Sequence, residues 1–276
     1  MIIVKLKGGL GNQMFQYALG KKISTMRKTI FKLDKNFLEQ PVWQKVIGVV
    51  VRGYELGEFN IKTQFAGFRE KILAVPIREI PFHVKDNFKR IERTKGNLYL
   101  DGYWQSEEYF KDIKNVICRD FRLKNKSMNF VKVAKLISEP NSVSIHFRRG
   151  DYAEKGKTRR YHGLLGLDYY QKAISLVDEK VKDPHFFIFS DDSNWVKKNF
   201  KIGKPATYIS GFYELTNAEE LVLMSNCEHN IIANSSFSWW GAWLNNNPSK
   251  IVIAPTRWFR VKISSEEMLP LGWFKL

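Results

Sequence analysis

The chain is poor in sulfur: Cys118 and Cys227 are its two cysteines among 276 residues. Two thiols cannot form a disulfide framework, and without clustered histidines they cannot form a zinc site. His83, His162, His185 and His229 show no metal-ligand spacing, and Asp-x-Asp, a pairing that holds divalent cations, does not occur. No apolar run is long enough to span a bilayer. The opening "MIIVKLKGG" also lacks the basic segment, apolar core and cleavage site of a leader. A reducing, cytoplasmic setting is expected. Acidic residues are scarce as well, with 28 Asp and Glu against 45 Lys and Arg, so the net charge is +17. That field favours an anionic partner: a phosphate-bearing substrate, nucleic acid or an acidic membrane surface.

With 44% hydrophobic and 26% charged residues the composition is globular, and the length suits two domains. "IIVKLK" alternates as a strand, turns at Gly8, Gly9 and Gly11, and enters a helix in which Met14, Ala18, Ile23 and Met26 share a face. "TIFKLD" reads as a second strand, residues 35 to 93 lose all clear period, and 97 to 104 is strand again, followed by helical spacing over 107 to 118. "RLKNKS" and "SEPNS" flank a short helix, which places a domain boundary near 135 and predicts domains of 1–135 and 136–276. Beyond it the spacing predicts strands at 143–147, 185–190, 206–209, 229–233 and 250–254. Helices are predicted at 168–180, 193–199, 214–225 and 238–246. Apolar runs such as "HFFIF" and "KIVIA" suit an α/β protein whose parallel sheet is buried on both faces.

Ligands of such sheets bind beyond the carboxyl ends of the strands. Four of these ends carry unusual residues. "GGLGNQ" offers close backbone approach and a helix N-terminus, yet Met14 stands where a dinucleotide fingerprint needs glycine; a tight turn and an anion site both fit. "SIHFRRGDY" puts His146, Arg148, Arg149 and Asp151 at a strand tip. Two forked guanidinium groups suit a diphosphate, and structural salt bridges are the alternative. In "FSDD", Asp191 and Asp192 can accept from a guanine edge or a ribose, or cap the next helix. In "ANSSFSWWGAWL", Ser235, Ser236 and Ser238 precede a helix and could cradle phosphate, while Trp239, Trp240 and Trp243 suit the core. The basic "KGKTRRYH" at 155–162 reads as a solvated loop.

Together "GGLGNQMFQYALG", "GYWQSEEYF", "HFRRGDY", "YHGLLGLDYY", "FIFSDD" and "ANSSFSWWGAWL", in this order, resemble the short bacterial α-1,2-fucosyltransferases of glycosyltransferase family 11. The resemblance implies two Rossmann-like domains facing a cleft (GT-B type), with the nucleotide sugar in the C-terminal one. It implies transfer of fucose from GDP-β-L-fucose to the 2-hydroxyl of a terminal galactose on an oligosaccharide, with inversion, no metal and no cofactor beyond the donor substrate. On this basis Arg148 stabilises the departing diphosphate with Arg149 and His146 beside it. Gly11 and Asn12 approach the donor from the N-terminal domain, Ser235, Ser236 and Phe237 line the phosphate, and Asp191 or Asp192 contacts guanosine. Asp151, Glu154 and Glu107 are candidate bases by position, and a dissociative route in which the leaving phosphate takes the proton needs none of them. The rival readings are a fucosyltransferase of another linkage and, from another class, a basic nucleic-acid-binding protein. The latter finds dispersed lysines and no RNP, KH or zinc-finger pattern. The positive charge also suggests peripheral docking on an anionic inner-membrane surface.

Overall fold

The computed structural model describes residues 1–150, 163–260 and 266–276. The chain divides into two compact units, Met1–Lys124 with Glu266–Pro270, and Asn125–Ser265 with Leu271–Leu276. The hydrogen bonds explain why the division falls upstream of 135. Arg122 and Lys124 are tied to the first unit through Asn60 and Glu58 backbone groups. Ser127, by contrast, donates its N–H to the buried Glu219 carboxylate of the second unit at 2.7 Å. Residue 135 therefore lies inside the second unit's opening helix.

The N-terminal unit runs β1 (Ile2–Lys5), α1 (Leu10–Met26), β2 (Phe31–Asp34), α2 (Pro41–Val46), β3 (Gln64–Phe65), α3 (Phe68–Ile72), β4 (Val75–Arg78), α4 (Val84–Arg93), β5 (Leu98–Asp101) and α5 (Lys114–Asp120). The sheet order is β3-β2-β1-β5-β4, and every pairing is parallel. Ile2, Ile3 and Val4 of the central β1 are fully buried, as a strand covered on both faces requires. The helix expected over 107–118 is instead two 3₁₀ turns, Glu107–Tyr109 and Lys111–Ile113, leading into α5. Phe110, at φ −149°, breaks the helical path although its ring keeps its apolar place in the core.

The C-terminal unit runs α6 (Met128–Ile137), β6 (Ser142–Phe147), α7 (Leu167–Lys180), β7 (His185–Ser190), α8 (Ser193–Asn199), β8 (Ala206–Tyr208), α9 (Asn217–Asn226), β9 (His229–Ile231), α10 (Ser236–Leu244), β10 (Val252–Ala254) and β11 (Phe274–Lys275). Its sheet, β11-β10-β9-β6-β7-β8, is parallel throughout. All six residues of β6 are buried. Strand alternation sends Val143, Ile145 and Phe147 into one apolar cluster with Tyr169, Tyr170, Ala173 and Val177 of α7. Ser142, Ser144 and His146 take the opposite face, where Asn230 donates to Ser144 Oγ at 2.7 Å. Trp239, Trp240 and Trp243 of α10 are core residues; the Trp239 and Trp243 rings lie nearly parallel, and Trp240 meets both edge to face.

Candidate active site

The chain leaves β6 for β7 and β8 on one side, then crosses back to β9 on the other. Such a reversal opens a crevice at the carboxyl ends of the two strands it separates. Arg148 and Arg149 follow β6 directly, and the segment from Asn234 to Phe237 follows β9, so both edges of that crevice carry sequence-predicted residues.

Arg148 Nη1 lies 2.8 Å from Asp191 Oδ2, and the Arg149 backbone N–H donates to Asp191 Oδ1 at 2.8 Å. Gly150 is needed here because a Cβ would lie 2.4 Å from Asp191 Oδ2. The Arg149 guanidinium stacks 3.2 Å above the Trp195 ring, and its Nε is 3.6 Å from Asp192 Oδ2. Stacking and pairing of this kind hold a guanidinium plane in place without removing its charge. Asp192 also caps α8, accepting from the Trp195 N–H at 3.2 Å. The helix-cap reading thus applies to Asp192, while Asp191 is the partner of both arginines. Both arginine side chains are largely buried, 18% and 19% exposed.

His146 is buried beneath Phe237, ring centroids 5.6 Å apart, and its Nδ1 has no hydrogen-bond partner among the described residues. Burial, with the Arg148 charge beside it, pushes its pKa down to about 3, so the ring is neutral at any ordinary pH. His146 therefore shapes the floor of the crevice and adds no charge to it. Ser235 caps α10 through the Phe237 N–H at 3.3 Å, and Ser236 and Phe237 are half-buried beside it. Asn234 lines a cavity of about 580 Å³ with Lys172, Arg257 and Arg260.

Sequence reasoning missed the support beneath the aspartates. Ser190 donates its N–H to Ser210 Oγ at 3.0 Å, Ser210 donates to Glu220 Oε2 at 2.7 Å, and the Asp192 N–H returns to Ser190 Oγ at 2.9 Å. Burial chiefly, and the Asp191 charge, push the Glu220 carboxyl up to about 7 against the Ser210 hydrogen bond. A carboxyl raised in the folded state contributes stability that is complete below its ordinary pKa and lost as pH rises through 7. Glu220→Gln keeps an acceptor for Ser210 but cannot ionise. In urea unfolding above pH 7 the variant is expected to be more stable than the parent by about 1–2 kcal/mol, with the difference shrinking as pH falls and vanishing below about pH 4.

In the N-terminal unit the corresponding reversal lies between β1 and β5. Asn12 in the first turn of α1 accepts from Gln105 Nε2 at 2.6 Å across it, while Gly11 is buried within that turn. Gly8 has φ +77°, and a Cβ there would lie 2.5 Å from Asn12 Nδ2. The turn is held by two buried glutamines. Gln13 donates to Gly8 and Gly53 carbonyls at 2.9 and 2.8 Å, and Gln16 bonds both backbone groups of Lys7. Asp101, at the end of β5, pairs with Lys5 at 3.0 Å and Lys7 at 2.8 Å. Glu107 sits half-buried in a 3₁₀ turn of this unit. Asp151, Glu154 and the basic stretch 155–162 lie outside the described residues. Among the described residues no three His, Cys, Asp or Glu side chains gather as a metal site would need.

A model of glycosyl transferase family 11 matches residues 1–275. An α-1,2-colitosyltransferase of Escherichia coli is 34% identical, covering 100% of this chain and 99% of its own. The O-antigen biosynthesis glycosyltransferase WbnK of Escherichia coli is 32% identical, over 92% of this chain and 93% of the relative. Galactoside α-(1,2)-fucosyltransferase 1 of Rattus norvegicus is 25% identical over 86% of this chain and 61% of its own length. Among solved structures, NodZ α-1,6-fucosyltransferase soaked with GDP-fucose matches with a TM-score of 0.50 at 13% identity, covering 88% of this chain and 92% of the other. A mutant Arabidopsis thaliana FUT1 in complex with GDP gives 0.51 at 10% identity, over 92% and 70%. These structural likenesses concern the fold. With a family model spanning nearly every residue and two full-length relatives above 30% identity, the chain belongs to glycosyl transferase family 11.

Proposed function

We propose that the protein is a galactoside α-1,2-fucosyltransferase that moves L-fucose from GDP-β-L-fucose to the 2-hydroxyl of a terminal galactose, inverting the anomeric carbon and using no metal. The observation that carries this reading is the Arg148–Arg149 pair at the tip of the central β6, beside the crevice where its sheet reverses. The donor diphosphate carries two negative charges and gains a third as its bond to the sugar breaks, and a fixed guanidinium fork can take up the charge that develops. Asp191 keeps Arg148 aimed along the edge before the donor arrives. Asp192, with a side chain 39% exposed, has more room than Asp191 to accept from a guanosine N–H. Ser235, Ser236 and Phe237 line the phosphate from the β9 edge, above the neutral His146.

On this reading the N-terminal unit serves the acceptor side, with Gly11 and Asn12 reaching towards the donor sugar. The galactose hydroxyl loses its proton either to a carboxylate, of which Asp151, Glu154 and Glu107 are the candidates, or to the departing phosphate. A second reading is favoured by the full-length E. coli relative: the transferred sugar is colitose, the deoxy relative of fucose, in the same α-1,2 linkage. The test is incubation with lactose and either GDP-fucose or GDP-colitose in EDTA, with mass spectrometry and NMR of the products. Fucosyllactose carrying an α-1,2 linkage supports the first reading. A product from GDP-colitose alone supports the second, and a different linkage from either donor overturns both.

A further inference from the structure

Residues 41 to 52, a surface loop made of the short helix α2 and the turn after it, present apolar side chains to solvent. Its one buried polar side chain, Gln44, closes the base, donating to the Phe37 and Arg52 carbonyls at 3.0 and 3.2 Å and accepting from the Arg52 N–H at 2.8 Å. Within the loop, Ile47 N–H bonds Trp43 O at 3.1 Å and Val49 N–H bonds Gln44 O at 3.0 Å. The backbone is thus fixed from inside, and the side chains that could have filled a core point out. Val42, Trp43, Val46, Ile47, Val49 and Val51 are exposed, from 38% at Val51 to 73% at Val42. Single exposed apolar residues are ordinary, but six on one pinned loop form a contiguous display that needs a partner.

Within this display the charge has one sign, with Glu39 and Glu55 standing just outside it. From Gln40 to Tyr54 the sequence contains no acidic residue, while Lys45 and Arg52 are basic. Lys45 is exposed among the apolar side chains. Tryptophan with aliphatic neighbours and a basic fringe is the composition that settles at a membrane interface, apolar groups in the acyl boundary and cations among anionic headgroups. A second copy of this chain would bring another +17 of charge towards the same basic loop, which opposes self-association. We propose that the loop at 41 to 52 is a membrane anchor that inserts Trp43, Val46 and Ile47 into an anionic bilayer surface. The base of this loop is tied to α1 through Gln13, which bonds Gly53 O and the Glu55 N–H. Docking would therefore hold the turn that carries Asn12 near the membrane surface. The anchor does not depend on which sugar the enzyme transfers.

The experiment is vesicle flotation of the full chain with phosphatidylglycerol-containing and pure phosphatidylcholine vesicles, at low and high salt. It compares the parent with the combined Trp43→Gln, Val46→Gln and Ile47→Gln variant, which leaves the charge unchanged. The parent is expected to float with the acidic vesicles, and the variant to bind them at least about tenfold more weakly while still binding GDP as the parent does. Equal binding by parent and variant would assign the attraction to net charge alone and overturn the anchor. So would absence of the parent from the acidic vesicles, or a parent oligomer in light scattering that the variant dissolves.

Discussion

Arg148→Ala is expected to lower kcat/KM about a thousandfold, or about 4 kcal/mol of transition-state stabilisation, with the fold intact. The size follows from what the side chain can do that its neighbours cannot. Arg149 is stacked on Trp195 and drawn towards Asp192, and Arg148 is oriented by Asp191; on the proposed reading it is Arg148 that meets the leaving diphosphate. As negative charge grows on a leaving diphosphate, a fork already in place needs no reorganisation to meet it. Arg148→Lys restores charge but not two-pronged geometry and should recover part of the loss. Steady-state product formation at saturating acceptor measures both variants. Turnover of Arg148→Ala within a few-fold of the parent would remove the arginine from the chemistry. If the proton leaves with the phosphate, no single carboxylate replacement will match this loss.

The largest effect on stability is expected from Gln13→Leu. Gln13 is fully buried and satisfies three backbone groups, the carbonyls of Gly8 and Gly53 and the N–H of Glu55. Leucine fills much of the same volume and satisfies none of them. A fully buried backbone group left without a partner costs about 1–3 kcal/mol; these three bonds are partly buried, so the loss in urea unfolding should be about 2–4 kcal/mol. A loss below about 1 kcal/mol would mean that water replaces the side chain. Because the same bonds anchor Gly53 and Glu55 below the 41 to 52 loop, weaker vesicle binding should accompany the destabilisation.

The C-terminal unit was legible in sequence because its strands are buried on both faces and therefore appear as apolar runs. His185–Ser190 and Ser193–Asn199 fall at the expected positions to the residue. Residues 35 to 93 were illegible for an equally physical reason. Most of their elements are too short to display a period: β3 has two residues, α3 five and α2 six. The ten-residue α4 is the exception, and its buried face of Val84, Asn87 and Ile91 was missed because a polar residue interrupts the apolar spacing. β4 carries Pro76, tolerated because β4 is an edge strand. Within the site, the arginine pair could be read from its place at a strand tip. The stacking of Trp195 and the Ser190–Ser210–Glu220 chain could not, since both join residues brought together by the parallel sheet. The glutamines of "GGLGNQMFQ" shift the meaning of that motif: Gln13 and Gln16 lock the turn from within, and Asn12 alone of the three polar side chains is half-buried rather than buried.

Nucleotide titration by calorimetry, in EDTA, with the parent and with Arg148→Ala, tests the central claim most directly. If the β6 arginines hold a diphosphate, the parent binds GDP at least about a hundredfold more tightly than guanosine, and Arg148→Ala brings GDP close to guanosine. Equal affinity of the parent for GDP and guanosine, or unchanged GDP affinity in Arg148→Ala, would contradict the assignment of this crevice to the donor diphosphate.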